Sequence, residues 1–177
     1  MEQIHSNIVK VVEENKTVYK CDALVTNKKN TPLMVMVADC IPILFYDNEK
    51  NVIAVAHAGR AGTFENIAKN TLECMKKNFN SNMKNIQVTL GPSIQKCCYE
   101  VSEEMAREVE YKFGKEYVNH RNIDLQGINK KQLLSEGVLE DNITISPICT
   151  QCSNQPYFSY RKDKNCGRFA GIIMMES

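Results

Sequence analysis

The segment Val55-Ala56-His57-Ala58-Gly59-Arg60-Ala61-Gly62-Thr63 joins an apolar run to the clearest helical pattern in the chain. The run from Val52 to Ala56 predicts a buried strand, because short apolar runs rich in β-branched residues are typical of strands. After the segment, with Thr63 as the expected N-cap, apolar residues recur at steps of three and four: Phe64, Ile67, Ala68, Leu72, Met75 and Phe79. We therefore expect a strand that leads through a two-glycine loop into a helix packed on a sheet.

Other apolar runs predict the remaining strands: Ile8 to Val12, Leu33 to Val37, Ile41 to Tyr46, Ile86 to Leu90, Ile143 to Ile148 and Phe169 to Met174. Pro42 predicts that its strand lies at an edge or carries a bulge. A second helix is expected from Ser102 to about Phe113, and a short third helix between a cap at Asn129 and a C′ glycine at Gly137. Strands and helices mix without regular alternation, so we expect an α+β fold: a mixed β-sheet sandwich flanked by helices.

The composition is that of a folded globular protein without a strong charge of either sign. We expect the 177 residues, of which 43% are hydrophobic and 24% charged, to form one domain spanning 1–177. A net charge of +1 offers little attraction for a phosphate backbone, so nucleic acid is not an expected partner. No apolar run reaches the roughly 18 residues of a membrane span, and residues 1–5 do not resemble a signal peptide. We therefore expect a cytoplasmic protein without membrane contact, whose eight cysteines are free thiols or metal ligands.

The two-glycine loop has the features of an anion site. Gly59 and Gly62 would let main-chain N–H groups approach a ligand at the start of the helix, and Arg60 would add a bidentate donor for phosphate or carboxylate. The loop is neither a Walker A motif nor a three-glycine dinucleotide motif. Near the C-terminus, Arg161 and Arg168 could clamp an anion. The simple alternatives are a tight connection at the glycines and solvated arginines.

An Asp39-Cys40 pair interrupts two apolar strands, and His5 and His57 lie beside predicted strands from which they could converge on Cys40. Two His and one Cys suit zinc and leave a fourth position open for water or substrate. The same trio could instead be a Cys nucleophile activated by His. A buried structural cysteine beside a turn-forming aspartate is a third interpretation. Blue copper uses similar ligands, but three histidines are too few for a multicopper oxidase.

A Cys-x-x-Cys motif, Cys149 and Cys152, is the remaining candidate. It could be half of a structural zinc site or a redox pair, but no second Cys-x-x-Cys or Cys-x-x-His completes a tetrahedral set at the usual spacing. The signature of zinc nucleoside deaminases is absent, because His57 is not followed by the required Glu and Pro147 stands one residue too far from Cys149. We therefore expect Cys149 and Cys152 to be reduced, packed thiols, with Cys97-Cys98 elsewhere.

A series of short motifs resembles the YfiH-like family, which is historically labelled laccase-domain or polyphenol oxidase. The motifs are Gln3-Ile4-His5, Asp22-Ala23-Leu24-Val25-Thr26, Ala38-Asp39-Cys40-Ile41-Pro42, His57-Ala58-Gly59, Gly91-Pro92-Ser93-Ile94, Cys98-Tyr99-Glu100-Val101, Asp124-Leu125, Cys149-Thr150 and Phe158-Ser159-Tyr160-Arg161. The resemblance covers nearly the whole chain and implies an α+β sandwich of mixed sheets with flanking helices. It also implies a zinc ion held by His5, Cys40 and His57.

The activity that the resemblance implies is phosphorolysis of purine nucleosides such as adenosine, inosine and guanosine, with phosphate as co-substrate. Adenosine deamination and phosphorolysis of methylthioadenosine are related activities. The expected catalytic residues are His5, Cys40 and His57. The expected phosphate ligands are Gly59, Arg60, Gly62, Arg161 and Arg168.

Two features depart from the family pattern. The family loop commonly reads His-Ala-Gly-Trp-Arg-Gly, whereas here Arg60 follows Gly59 directly, so phosphate or base contacts are expected to differ. Family members usually carry a further segment before the first histidine motif, which here begins at Gln3.

Two other functions stay open. One is a peptidoglycan-precursor editing hydrolase with Cys40 as nucleophile, His57 or His5 as base and an adventitious zinc. The other is a non-catalytic zinc or redox module built on Cys149 and Cys152. Neither the preferred nucleoside nor the oligomeric state follows from the sequence.

Overall fold

The computed structural model describes residues 1–13 and 18–177. The strands are β1 (Val9–Val11), β2 (Ala23–Thr26), β3 (Leu33–Val37), β4 (Ile41–Asp47), β5 (Val52–Ala58), β6 (Ile86–Leu90), β7 (Val118–Asn119), β8 (Asn122–Ile123), β9 (Ile143–Ile145) and β10 (Phe169–Ile173). The helices are α1 (Arg60–Phe64), α2 (Ile67–Phe79), α3 (Glu103–Phe113) and α4 (Leu125–Ser135), with 3₁₀ turns at Met83–Asn85, Lys115–Tyr117 and Glu140–Asn142.

Six strands form one mixed sheet in the order β1-β2-β5-β4-β6-β9. The pairs β1 with β2 and β6 with β9 are parallel, and the other neighbours are antiparallel. A second sheet consists of β3 and β10, and β7 with β8 forms a small antiparallel pair. This arrangement of a mixed sheet, a second sheet and helices confirms the predicted α+β class.

Two apolar cores lie on opposite faces of the six-stranded sheet, which is why β5 is buried along its whole length. Ala54 and Ala56 face the core shared with α2, α3 and α4. Ile53 and Val55 face the other core, which β3 covers. Side chains alternate between the two faces of a strand. His57, two residues after Val55, therefore lies on the side of β3 and β10.

The helix after β5 is interrupted where the sequence predicted continuity. Thr63 does not cap it, because Thr63 lies inside the short helix α1. Asn66, in the left-handed conformation with φ of 62°, separates α1 from α2. Asparagine tolerates this conformation better than other residues with a side chain. The predicted single helix is therefore divided into the short helix α1 and the longer helix α2.

The second predicted helix begins where the sequence places it, but the third begins earlier than predicted. α3 begins next to Ser102, as predicted, and the Ser102 side chain caps it by accepting a hydrogen bond from the Met105 N–H. Asn129 is not a cap, because α4 begins earlier, after Asp124. Asn129 is instead buried, and its amide donates to the Thr63 hydroxyl at 2.9 Å.

Among the described residues, no helix has both the length and the apolar character needed to cross a membrane.

Pro42 lies in an inner strand, so the prediction of an edge strand was wrong. β4 pairs with β5 from Ile41 onward but with β6 only from Ile43 onward. The Pro42 carbonyl accepts a hydrogen bond from the Gly91 N–H, just beyond the end of β6. The missing N–H of Pro42 therefore faces the side where the ladder with β6 has not yet begun, and the sheet loses no hydrogen bond.

Candidate active site

The structure brings His5, Cys40 and His57 together at one end of the space between the two sheets. The ligand atoms of these three side chains all lie within 4.8 Å of one another. His57 comes from the end of β5, Cys40 immediately precedes β4, and His5 comes from the segment before β1. The imidazole rings of His5 and His57 meet edge to face, with centroids 4.8 Å apart. Residues distant in sequence thus form one set of nitrogen and sulfur donors.

Asp22, just before β2, organises this set, although the sequence analysis did not single it out as a site residue. Its buried carboxylate accepts a hydrogen bond from Nδ1 of His57 at 2.8 Å. Because an ionised carboxylate only accepts, Nδ1 carries the proton and Nε2 is free to bind a metal. Main-chain N–H groups of Ile4, His5 and Ser6 also donate to this carboxylate, at 3.2, 3.0 and 2.6 Å. One carboxylate therefore orients one histidine and anchors the segment that carries the other.

Gly59 lies so close to the side chains of Cys40 and His5 that no larger residue fits without a shift. A Cβ at this position would lie 2.9 Å from the Cys40 Sγ and 3.6 Å from Cδ2 of His5. Gly59 directly precedes α1 and has an ordinary φ of −78°. Its function here is close approach to Cys40, since its backbone conformation is open to any residue.

Burial dominates the electrostatics of the site. It raises the pKa of the Cys40 thiol to about 11, with a smaller contribution from the Asp39 carboxylate. Burial also lowers the pKa of His57, against the effect of its hydrogen bond to Asp22. For Asp22, burial by itself would raise the pKa, but the hydrogen bonds from His57 and Ser6 outweigh it and the pKa is lowered. Without a cation the site therefore holds a neutral thiol, a neutral imidazole and a carboxylate.

A cleft of about 560 Å³ opens beside the three side chains. Its lining residues are Gln3, His5, Met36, Val37, Ala38, Cys40, His57, Tyr160 and Arg168. The volume lies within the range of small-molecule sites, about 300–1,000 Å³. The Arg168 guanidinium is 5.7 Å from the centre of the Tyr160 ring, so the cleft wall combines a cation with an aromatic face. This cleft can accept an anionic group and a flat apolar group together.

Arg161, unlike Arg168, is not among the residues that line the cleft. Its guanidinium donates to the Glu100 carbonyl at 2.7 Å and lies 5.2 Å from the centre of the Tyr99 ring. Its main-chain N–H donates to the Asp39 carboxylate at 2.6 Å. Arg161 therefore holds the segment that carries Tyr160 against the residue before Cys40.

Arg60 and Gly62 also lie apart from the cleft, contrary to the expected phosphate loop. The predicted loop is the short helix α1, and Arg60 lines a separate pocket with Met105 of α3. Gly62 is buried, and a Cβ there would lie 3.1 Å from the His57 carbonyl and 3.3 Å from the Ser6 carbonyl. Gly62 therefore lets α1 pack closely against the backbone of His57 and Ser6. In sequence, a glycine needed for such packing looks the same as a glycine in an anion-binding loop.

The Cys-x-x-Cys motif forms a second cluster together with Cys97 and Cys98, so the expectation that Cys97-Cys98 lies elsewhere was wrong. The sulfur atoms of Cys97, Cys98, Cys149 and Cys152 all lie within 4.8 Å of one another. Burial raises the pKa of the Cys149 thiol, but hydrogen bonding from the main chain of Gln95, Cys152 and Gln151 outweighs it and lowers the pKa to about 7. The adjacent pair Cys97-Cys98 supplies two thiols at a spacing that the usual motifs do not contain.

Comparison with known proteins shows which family the chain belongs to. Residues 1–176 match the family model described as multi-copper polyphenol oxidoreductase laccase. The chain is 40% identical to a purine nucleoside phosphorylase of Clostridium acetobutylicum over 180 residues, covering 98% of this chain and 75% of that protein. It is 31% identical to the purine nucleoside phosphorylase YfiH of Escherichia coli over 182 residues, covering 99% of this chain and 72% of that protein.

Solved structures show the same fold. The crystal structure of YlmD from Geobacillus stearothermophilus superposes with a TM-score of 0.90 at 27% identity, covering 99% of this chain and 72% of that chain. The hypothetical protein YfiH of Bacillus licheniformis gives a TM-score of 0.91 at 25% identity, covering 99% and 73%. The chain therefore belongs to the family described as multi-copper polyphenol oxidoreductase laccase, among relatives that are named purine nucleoside phosphorylases.

Proposed function

We propose that this protein is a zinc-dependent purine nucleoside phosphorylase whose substrates are adenosine, inosine or guanosine and inorganic phosphate. The observation that carries the proposal is the convergence of His5, Cys40 and His57 beside a cleft of about 560 Å³. Relatives of similar sequence bear the name purine nucleoside phosphorylase. Adenosine deamination and methylthioadenosine phosphorolysis belong to the proposal as side activities of the same cleft.

The donor set fits zinc. Two imidazoles and one thiol are ligands that zinc prefers, and three protein ligands leave one position for a substrate or water. The hydrogen bond from Nδ1 of His57 to Asp22 is the outer contact that zinc-binding histidines usually make. Zinc held by these residues would polarise a bound group or lower the pKa of water. Only three histidines occur in the whole chain, which argues against the copper set that the family description suggests.

The cleft wall supplies the other requirements of phosphorolysis. In this reaction a phosphate oxygen forms a bond to C1′ of the ribose, the bond from C1′ to the purine nitrogen breaks, and its electron pair and a proton pass to the purine. Arg168 is the lining cation that can hold phosphate, and Tyr160 and Met36 offer apolar surface to a purine. Holding both reactants in one cleft is the main catalytic contribution of these residues.

A Cys-dependent hydrolase is less well supported. Such an enzyme needs a thiolate, whereas burial raises the pKa of Cys40 to about 11. The hydrogen bond from Nδ1 of His57 to Asp22 leaves Nε2 available, so this contact suits a general base and a metal ligand equally. The test of both functions is therefore carried out on one preparation with different substrates.

The deciding experiment is incubation of purified protein of known metal content with each nucleoside, with and without phosphate, followed by chromatography of the products. Free base that forms only with phosphate is the expected result. The Cys40→Ala variant should lose phosphorolysis and one zinc, whereas Cys74→Ala, a cysteine of α2 remote from the cleft lining, should keep both. Full activity of Cys40→Ala would contradict the site, and serine release from a muramyl nucleotide without phosphorolysis would favour the hydrolase.

A further inference from the structure

We propose that Cys97, Cys98, Cys149 and Cys152 form a second, structural zinc site, an inference that does not rest on the proposed phosphorylase activity. The four sulfur atoms lie within 4.8 Å of one another, and those of Cys97 and Cys152 are 3.7 Å apart. Tetrahedral zinc with bonds of about 2.3 Å to sulfur requires sulfur atoms about 3.8 Å apart. The cluster therefore already has nearly the size of a zinc tetrathiolate.

The four thiols come from two separate loops. Cys97 and Cys98 lie in a turn between β6 and α3, and Cys149 and Cys152 lie between β9 and β10. All four are free thiols, and Cys97 and Cys152 are exposed. Hydrophobic packing does not explain why Cys97 and Cys152 approach the other two cysteines, because both side chains remain exposed and bury little apolar surface. Convergence of four soft ligands on one point is what a thiophilic cation requires.

With four protein ligands the coordination sphere is closed, in contrast to the three ligands at His5, Cys40 and His57. The expected role is therefore structural.

The position of the cluster shows what the ion would stabilise. Thr150, inside the Cys-x-x-Cys turn, donates from its hydroxyl to the Asp39 carboxylate at 2.6 Å. The Ile94 N–H, in the loop that carries Cys97, donates to the Asp39 carbonyl at 2.9 Å. Both loops of the cluster thus hold Asp39, which has a left-handed φ of 83° and directly precedes Cys40. Zinc at the four cysteines would clamp the two loops that fix Cys40.

The test counts metal in protein whose first site has been removed. A Cys40→Ala/His57→Ala variant, expressed with zinc and analysed by elemental mass spectrometry, should retain one zinc per chain, and the wild type should hold two. Loss of one zinc from the wild-type background is expected for Cys97→Ser/Cys152→Ser, and no loss for the control Cys74→Ser. Absence of zinc from the Cys40→Ala/His57→Ala variant would overturn the proposal.

Cobalt supplies a readout that does not depend on activity and that leaves all four cysteines of the cluster in place. Co²⁺ added to the metal-free Cys40→Ala/His57→Ala protein should give the intense near-ultraviolet thiolate-to-cobalt absorption and the visible bands of tetrahedral coordination. Thiol titration should show four fewer reactive thiols with metal bound than after chelation. Spectra of octahedral cobalt, or disulfide formation among these cysteines in the freshly purified protein, would contradict the zinc site.

Discussion

Asp22 accepts a hydrogen bond from Nδ1 of His57 at 2.8 Å, and the side chains of both residues are almost completely buried. The same carboxylate accepts N–H groups from the segment that carries His5. A single acidic side chain therefore links the N-terminal segment to the end of β5. It also leaves Nε2 of His57 available to a metal.

Asp22→Asn should weaken zinc binding at the first site by about 10- to 100-fold, the usual cost of removing an outer hydrogen bond at a zinc histidine. The amide would present N–H groups to the main-chain donors of Ile4 and Ser6 and would lose the charge that they stabilise. Competition with a chelating dye measures the affinity. Asp141→Asn, at an exposed position in a 3₁₀ turn, is the matched control and should leave it unchanged.

Gly59→Ala should damage the site more than the fold. The φ of −78° suits alanine, but the new Cβ would meet the Cys40 Sγ at 2.9 Å. Overpacking of this kind costs about 1–3 kcal/mol. If the displacement falls on Cys40, zinc affinity should fall roughly 10- to 100-fold. Zinc affinity and the urea midpoint are measured together, and unchanged affinity with a normal midpoint would disprove the steric argument.

Arg168→Ala should raise the KM for phosphate with a smaller effect on the KM for the nucleoside. Arg168 is the arginine that lines the cleft, whereas Arg60 and Arg161 do not. A hydrogen bond to a charged group is worth about 1.5–3 kcal/mol, which corresponds to roughly a 10- to 100-fold change in KM. Steady-state kinetics at varied phosphate tests this. Arg107→Ala, on the exposed face of α3, should behave like the wild type; a phosphate KM raised by Arg60→Ala instead would restore the loop prediction.

The metal-free protein should be most stable between about pH 6.5 and 9, the ordinary pKa values of histidine and cysteine. Because burial lowers the pKa of His57, the unfolded chain binds a proton below pH 6.5 that the folded protein does not. The free energy of unfolding therefore decreases as the pH is lowered below 6.5. Because burial raises the pKa of Cys40 to about 11, the unfolded thiol ionises first above pH 9, and the free energy of unfolding falls as pH rises.

Urea denaturation of the metal-free protein across this range measures both slopes. His57→Gln should reduce the acid slope, and Cys40→Ala should reduce the alkaline slope to which other buried thiols such as Cys21 also contribute. A free energy of unfolding that rises steadily with pH through the alkaline range would show that the thiols are not buried as the structure has them.

Local sequence patterns were sufficient for much of the fold. Hydrophobic runs predicted most strands, and the predicted start of α3 near Ser102 was right because it depends on local residues. β2 was missed, since its four residues are all buried and form a run too short to stand out. The predicted cap at Asn129 was wrong, because a buried asparagine inside a helix and an asparagine at a helix cap cannot be distinguished in sequence.

The sequence by itself determined the donor set of the first site, two histidines and one cysteine, and of the second only the Cys-x-x-Cys half. Only the tertiary structure decided which residues meet. The linkage of Asp22 to His57, separated by 35 residues, and the approach of Cys97 to Cys152, separated by 55, depend on strand order and loop packing. Likewise, Arg60 is directed away from the cleft because its loop closes into a helix. Such long-range contacts follow from burial of both sheet faces, which no local pattern encodes.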